Sequence, residues 1–372
     1  MAVTTSVAGP YYSSGAISFS SLRSTFKEVT SGAIKASDLI RETSTSLTNP
    51  IVPNCTENTS ITTNQSNWTI SDFRNSIKYY YVTLPSSDTV TNFDIDAQTW
   101  NSNLNKNIRK WIYINGTCGS SDSSSPAATF NATAYNLTID VSGNIYGAAG
   151  IGATEVAGGA GGHALSVTSS GGDNIVVNVG SGAKIYGGGG GGAKGHTGDN
   201  GSAATCKKSQ YFQQACQQGA FISCPSGWNQ TSSGQNCCEW KRGCNANNWW
   251  RWCEETKSTS TPSGGTGGNG GKGRGYDNPI NEVLGIDVSR LGATGGPKQC
   301  PSCDSGYSQS GGSCSEKGQI GGTGGDWGAN GGNKTKNSTT WFGGPAGYAI
   351  LKSGDNISVT GSTGPTTLKG LY

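Results

Sequence analysis

Gly264-Gly265-Thr266-Gly267-Gly268-Asn269-Gly270-Gly271-Lys272-Gly273-Arg274-Gly275 reads largely as GGX repeated, a beat of three residues. Gly195, Gly198 and Gly201 keep the same spacing, and Gly187 to Gly192 is an unbroken run. Three is the period of a polyproline-II-type helix, not of an α-helix or a strand. Such a helix makes no internal hydrogen bonds, so rods of it must bond to one another. Close packing of this kind needs inward positions without a Cβ. Only five of the 60 glycines lie before residue 143, so the composition changes character there. Collagen needs long unbroken Gly-X-Y with abundant proline, whereas this chain has 12 Pro and short, broken runs. Flexible linkers would be serine-rich, but these runs are punctuated by Tyr276, Trp327, Trp341 and Phe342. The expectation is a bundle of short glycine-rich rods.

The remaining composition supports a folded chain. Charged residues are only 13% and there are 10 Trp and 14 Tyr, unlike the charged, aromatic-poor composition of disordered segments. The net charge of +3, with no basic run, gives no reason to expect nucleic acid. The first residues show neither a basic n-region nor an apolar h-region, and no stretch is apolar enough to span a membrane. This predicts synthesis in a cytoplasm without membrane insertion. Twelve Asn-x-Ser/Thr sequons follow from a chain rich in Asn, Ser and Thr.

Cysteine points the other way. Cys206, Cys216, Cys224, Cys237, Cys238, Cys244, Cys253, Cys300, Cys303 and Cys314 cluster downstream, with Cys55 and Cys118 far upstream. An even local cluster reads as a disulfide framework, and such frameworks persist in oxidising surroundings. Many pairings are open. Zinc at Cys300-Pro301-Ser302-Cys303 lacks a matched second pair and nearby histidine. A chain made without a leader yet built for the outside fits a virion component released by lysis.

Along the chain, residues 1–48 carry short helical signals. Ser18 or Ser20 can cap a helix through Lys27 with Leu22 and Phe26 at i, i+4. Ser37 can cap Asp38 to Glu42. Residues 49–135 read as a small β-domain, with strands at Tyr79–Leu84 and Lys110–Ile114 and a turn at Pro85-Ser86-Ser87-Asp88. From 136 a unit recurs. Leu137–Val141 leads to Ile145-Tyr146-Gly147, and Ile175–Val179 leads to Ile185-Tyr186-Gly187. Two copies are too few for a solenoid on their own. Segments 202–262 and 297–320 interrupt the glycine scaffold and read as long disulfide-stapled surface loops, which are usually functional. The fold class expected is mainly β and irregular, with short N-terminal helices, a small β-domain, and β-strands feeding a polyglycine-II rod bundle across residues 136–372.

Few residues suggest chemistry. His163 and His196 stand in glycine-rich surroundings without a triad motif. Asp94 and Asp96 read better as a solvated strand face than as an acid–base pair. No Gly-Lys-Ser/Thr ending marks a phosphate loop. The expectation is a protein without catalysis, cofactor or metal. Aromatic and arginine side chains are typical binding anchors, and aromatic faces also suit sugar rings. The candidates are Tyr211, Trp228, Trp240, Trp249, Trp250, Arg251, Trp252 and Tyr307. The same tryptophans could instead form the small core of the insert.

The runs at Ile185-Tyr186-Gly187, Gly264–Gly275, Gly321–Gly328 and Gly343–Ile350 resemble the glycine-rich tips of bacteriophage tail-fibre adhesins, the distal receptor-recognition proteins of T-even-type phages. Ile17–Phe26 followed by Ile34–Leu39 looks like openings of structural proteins from marine and cyanobacterial phages. The resemblance implies polyglycine-II rods displaying variable loops and a host-surface glycan or outer-membrane protein as receptor. It also implies docking of the N-terminal region on other tail-fibre or virion proteins. Fibre proteins are commonly trimeric and tip adhesins can be single chains, so a homotrimer stays open. The alternative is a structural virion or extracellular filament protein whose inserts mediate subunit contacts.

Overall fold

A computed structural model describes residues 4–8, 14–43, 51–64, 67, 69–98, 100, 102–106, 108–172, 175–215, 223–236, 248–278 and 290–372. The chain is mainly β. After β1 (Thr4–Ala8), three successive turns of chain each lay down three strands. They are β2 (Tyr79–Leu84), β3 (Thr89–Thr91) and β4 (Phe93–Asp94), then β5 (Arg109–Ile114), β6 (Thr117–Gly119) and β7 (Ala128–Ala134), then β8 (Leu137–Val141), β9 (Asn144–Tyr146) and β10 (Leu165–Gly172). A fourth turn starts with β11 (Ile175–Val179) and β12 (Lys184–Tyr186). The chain then makes the glycine runs and the strands β13 (Thr205–Ala215), β14 (Trp228–Asn236), β15 (Asn248–Ser258), β16 (Ser308–Ser310), β17 (Lys334–Lys336) and β18 (Thr339–Trp341). It returns with β19 (Ile350–Ser353), β20 (Ile357–Gly361) and β21 (Leu368–Lys369).

Equivalent strands of successive turns pair in parallel, giving three sheets ordered β2-β5-β8-β11-β20, β3-β6-β9-β12-β21 and β4-β7-β10-β19. This is a parallel β-solenoid. The two Ile-Tyr-Gly copies therefore stack, Ile145 beside Ile185 and Tyr146 beside Tyr186. The parallel pairing of β5 with β8 joins strands from either side of residue 135. Alternation puts one face of each strand inside. Val82, Ile112, Ile139, Val177 and Val359 form one inner column, and the first four are buried. A neighbouring column runs Tyr80, Lys110, Leu137, Ile175. Lys110 is fully buried there. Its Nζ donates to the carbonyls of Lys106 (2.6 Å), Ile108 (2.8 Å) and Tyr135 (2.8 Å). These bonds satisfy the three donors of an ammonium, while burial pushes the group down to about 7. Cys55 and Cys118 are buried and unbridged, and burial pushes both thiols up to about 12.

β1 pairs antiparallel on the free edge of β2. A second cluster of Leu22, Phe26, Leu39, Val52, Ile61 and Phe73 buries the side chains of the N-terminal segment. Ser18 caps the only α-helix among the described residues, α1 (Phe19–Leu22), by accepting from the Ser21 amide. A π-turn over Arg23–Lys27 continues it. The second expected helix differs. Ala36–Leu39 is a 3-10 turn with Ser37 inside it, because the Asp38 carboxylate accepts from the Lys35 amide (3.0 Å) and closes the turn itself.

The run from Gly187 to Ala193 donates a backbone hydrogen bond at every residue, and the direction recurs every third one. Gly188 and Gly191 donate to Gly162 and Gly159, Gly189 and Gly192 to Arg274 and Gly271, and Gly190 and Ala193 to Ala329 and Gly332. Neighbouring segments thus surround this run on several sides. A Cβ on Gly190 would lie 1.8 Å from the Gly344 carbonyl oxygen, and one on Gly191 would lie 1.9 Å from that of Ile151.

Candidate functional site

The chain divides into two units, and the second comprises Gly195–Gly268 with Ala293–Gly321. Its base is glycine-rich. Gly195, Gly198 and Gly201 donate to Gly268, Gly265 and Pro262, and Gly265 and Gly268 donate to Glu316 and Gln319. The bond from Gly201 to Pro262 places the start and end of the first insert side by side. Where the sequence suggested loops, the described residues of the first insert, with β16 of the second, form an antiparallel sheet ordered β14-β15-β13-β16. Its strands are long, with β13 and β15 in register from Thr205/Ser258 to Ala215/Asn248. Both faces are largely polar, so no apolar alternation announced the strands.

Disulfides replace the missing core. Cys206–Cys303 joins β13 to the second insert, Cys224–Cys253 ties the approach to β14 onto β15, and Cys300–Cys314 closes the second insert. Cys300 and Cys303 thus belong to two different bridges. No metal-binding group of three or more His, Cys, Asp or Glu occurs among the described residues. Cys216, Cys237, Cys238, Cys244 and Trp240 lie outside the described residues.

The register sorts the recognition candidates onto two faces. Tyr211 pairs with Trp252 across the strands, ring centroids 5.4 Å apart at 60°. Both remain exposed, at 42% and 41%. An edge-on aromatic pair of this kind contributes about 0.5–1 kcal/mol to the sheet. On the other face Phe212 meets Trp228 at 6.1 Å. Arg251 stands opposite Phe212 and Ser233. The backbones of Trp249 and Trp250 lie opposite Gln214 and Gln213.

Tyr307 is held in a cluster the sequence did not reveal. Its hydroxyl donates to Glu255 and accepts from Lys257 Nζ (3.1 Å). Lys257 also pairs with Glu255 (2.8 Å), and Lys208 and Lys257 lie 5.7 and 5.2 Å from the ring centroid. Lys257 and the Tyr307 hydroxyl hold the Glu255 carboxyl below its usual range, and Glu255 then Tyr307 hold the Lys257 ammonium above its own. Lys208, Glu255 and Lys257 alternate with Lys207, Glu254 and Thr256, so the signal available was a strand-spaced charge pattern.

The remaining candidates are dispersed. His163 accepts from the Tyr348 amide at Nδ1 (2.9 Å), and burial lowers its affinity for a proton. His196 is buried in the other unit. Burial and then the neighbouring Asp94 raise Asp96 above the ordinary carboxylate value. Asp96 also accepts from the Asn131 amide (3.1 Å), and Asp94 from that of Ala97 (3.2 Å).

A family model described as phage tail fibre adhesin Gp38 matches residues 77–279. The match runs from the first solenoid strands through the disulfide-clipped insert. No curated protein and no solved structure matches the chain. No helix among the described residues is long and apolar enough to cross a membrane. The family match covers more than half of the chain, which belongs to the phage tail fibre adhesin Gp38 family and is a virion component.

Proposed function

We propose that this tail fibre adhesin recognises a receptor on the host surface without catalysis, through the clipped sheet of its second unit. The observation that carries this reading is the Tyr211–Trp252 pair. Two large aromatic rings stay exposed on a sheet held by three disulfides, so they are presented without a large ordering cost on binding. We further read the glycine runs as polyglycine-II rods of the kind found in T-even-type adhesins. The three-residue recurrence of donor directions in Gly187–Ala193 supports this, as do the contacts that leave no room for Cβ. Residues 1–48 are proposed to dock on another tail-fibre or virion protein.

Deleting 202–262, with Cys303→Ser to avoid a free thiol, tests the reading against a purely structural role. Gly201 and Pro262 are already hydrogen-bonded neighbours, so the deletion closes a short gap. Virions carrying it should assemble and fail to adsorb. Particles that fail to assemble would favour the structural role, and particles that adsorb normally would refute the adhesin surface.

A further inference from the structure

Beyond the aromatic pair, the same unit contains a cleft of about 480 Å³. It lies at the Thr205/Ser258 end of the β13–β15 pairing, past Lys257 on β15. One wall is the segment 257–263, the other is 299–304 with Tyr307, and Cys206 contributes to the lining.

The walls are fixed. Thr259 N donates to the Ala204 carbonyl and Ala204 N donates back to Thr259 Oγ1, both at 2.9 Å. Gly201 N holds the Pro262 carbonyl at 2.9 Å. Cys206–Cys303 and Cys300–Cys314 anchor the facing wall, and three polar partners hold the Tyr307 side chain.

The chemistry of the lining narrows the ligand. Small-molecule pockets are usually walled by apolar side chains, but here hydroxyls dominate. Ser258, Ser260, Thr261, Ser263 and Ser302 all line the cleft. An anion would need an unmatched cation, whereas Lys257 is paired with Glu255 and Asp304 adds a carboxylate to the lining. An extended peptide would seek an open strand edge, but this cleft offers side-chain hydroxyls. Hydroxyls both donate and accept, which matches a neutral polyol.

We propose that this cleft is a saccharide subsite that takes one neutral sugar unit of a host-surface glycan. The proposal rests on the adhesin reading and assigns it a ligand class at a place separate from the aromatic pair.

Saturation-transfer NMR on the full oxidised chain tests it, with a free hexose, a 6-deoxyhexose, an N-acetylhexosamine and a hexuronic acid as probes. Transfer to at least one neutral sugar is expected, at affinities on the order of 1 mM. Ser260→Tyr and Thr261→Tyr place a ring in the cleft from exposed positions, and each should abolish the transfer, while Ile151→Ala, an exposed side chain outside the cleft lining, should retain it. Absence of transfer to every neutral sugar overturns the proposal. So does transfer that survives both filling variants, or transfer to the uronic acid alone. If the sugars fail while loss of 202–262 still abolishes adsorption, the saccharide subsite falls and the adhesin reading stands. If the sugars bind as expected and that deletion leaves adsorption intact, the adhesin reading falls and the subsite stands.

Discussion

Gly188 donates its backbone N–H to the Gly162 carbonyl at 2.9 Å, while a Cβ on Gly188 would lie only 1.7 Å from the Ala148 carbonyl oxygen. The hydrogen bond and the missing side chain are one requirement, because the neighbouring backbone occupies the space a methyl group would need. Gly188→Ala must push packed backbone aside. Overpacking of this kind costs about 3 kcal/mol or more. Gly182→Ala, with nothing within 4 Å of the added carbon, should change stability by less than about 0.5 kcal/mol. Thermal unfolding of the two variants checks the contrast, and equal melting temperatures would contradict it.

Lys110 carries a pH signature. Below about 7 it is protonated in both the folded and the unfolded chain. Between about 7 and the ordinary lysine value, the unfolded chain holds a proton that the folded chain releases. Stability attributable to Lys110 therefore rises with pH across that window, by about 2 kcal/mol between pH 7 and pH 9. Lys110→Met strips a partner from three carbonyls and should cost about 2–4 kcal/mol. Denaturant unfolding at the two pH values should show the gap between wild type and variant widening at pH 9. A constant gap would remove Lys110 from the account.

The Cys206–Cys303 bridge spans a sequence separation of 97 residues. Closing a loop of that length restrains the unfolded chain by about 4.7 kcal/mol. Cys206→Ser with Cys303→Ser should therefore make the second unit open first on heating. Limited proteolysis would report this as early cleavage within 202–262, with the solenoid fragment persisting. Simultaneous loss of both would show that the bridge does not set the stability of that unit.

Much of the scaffold was legible because its signals are local. The period-3 glycines reappear as donor directions recurring every third residue from Gly187 to Ala193. Ser18 caps α1, and Ile145 and Ile185 stack as their shared motif suggests. The solenoid was hidden because its earlier turns do not repeat in residue type. The position held by Ile145 and Ile185 is Val90 and Cys118 in the first two turns. Only burial, not identity, is common to them. The sheet of the insert was hidden for a different reason. With disulfides instead of an apolar core, residues such as Lys207, Ser209, Glu254 and Thr256 carry no in–out alternation. The Tyr307 cluster and the hydroxyl-lined cleft depend on bringing 257–263 against 299–307, which no local pattern encodes.

The exposed aromatic face of the clipped sheet is the surface proposed to contact the host. Binding of the purified full chain to intact host cells tests it most directly, comparing wild type with Tyr211→Ala/Trp252→Ala and with Tyr79→Ala on the solenoid as control. Truncating two central anchors should weaken cell binding by at least about tenfold and leave the control unchanged. Undiminished binding of the double variant would contradict the account.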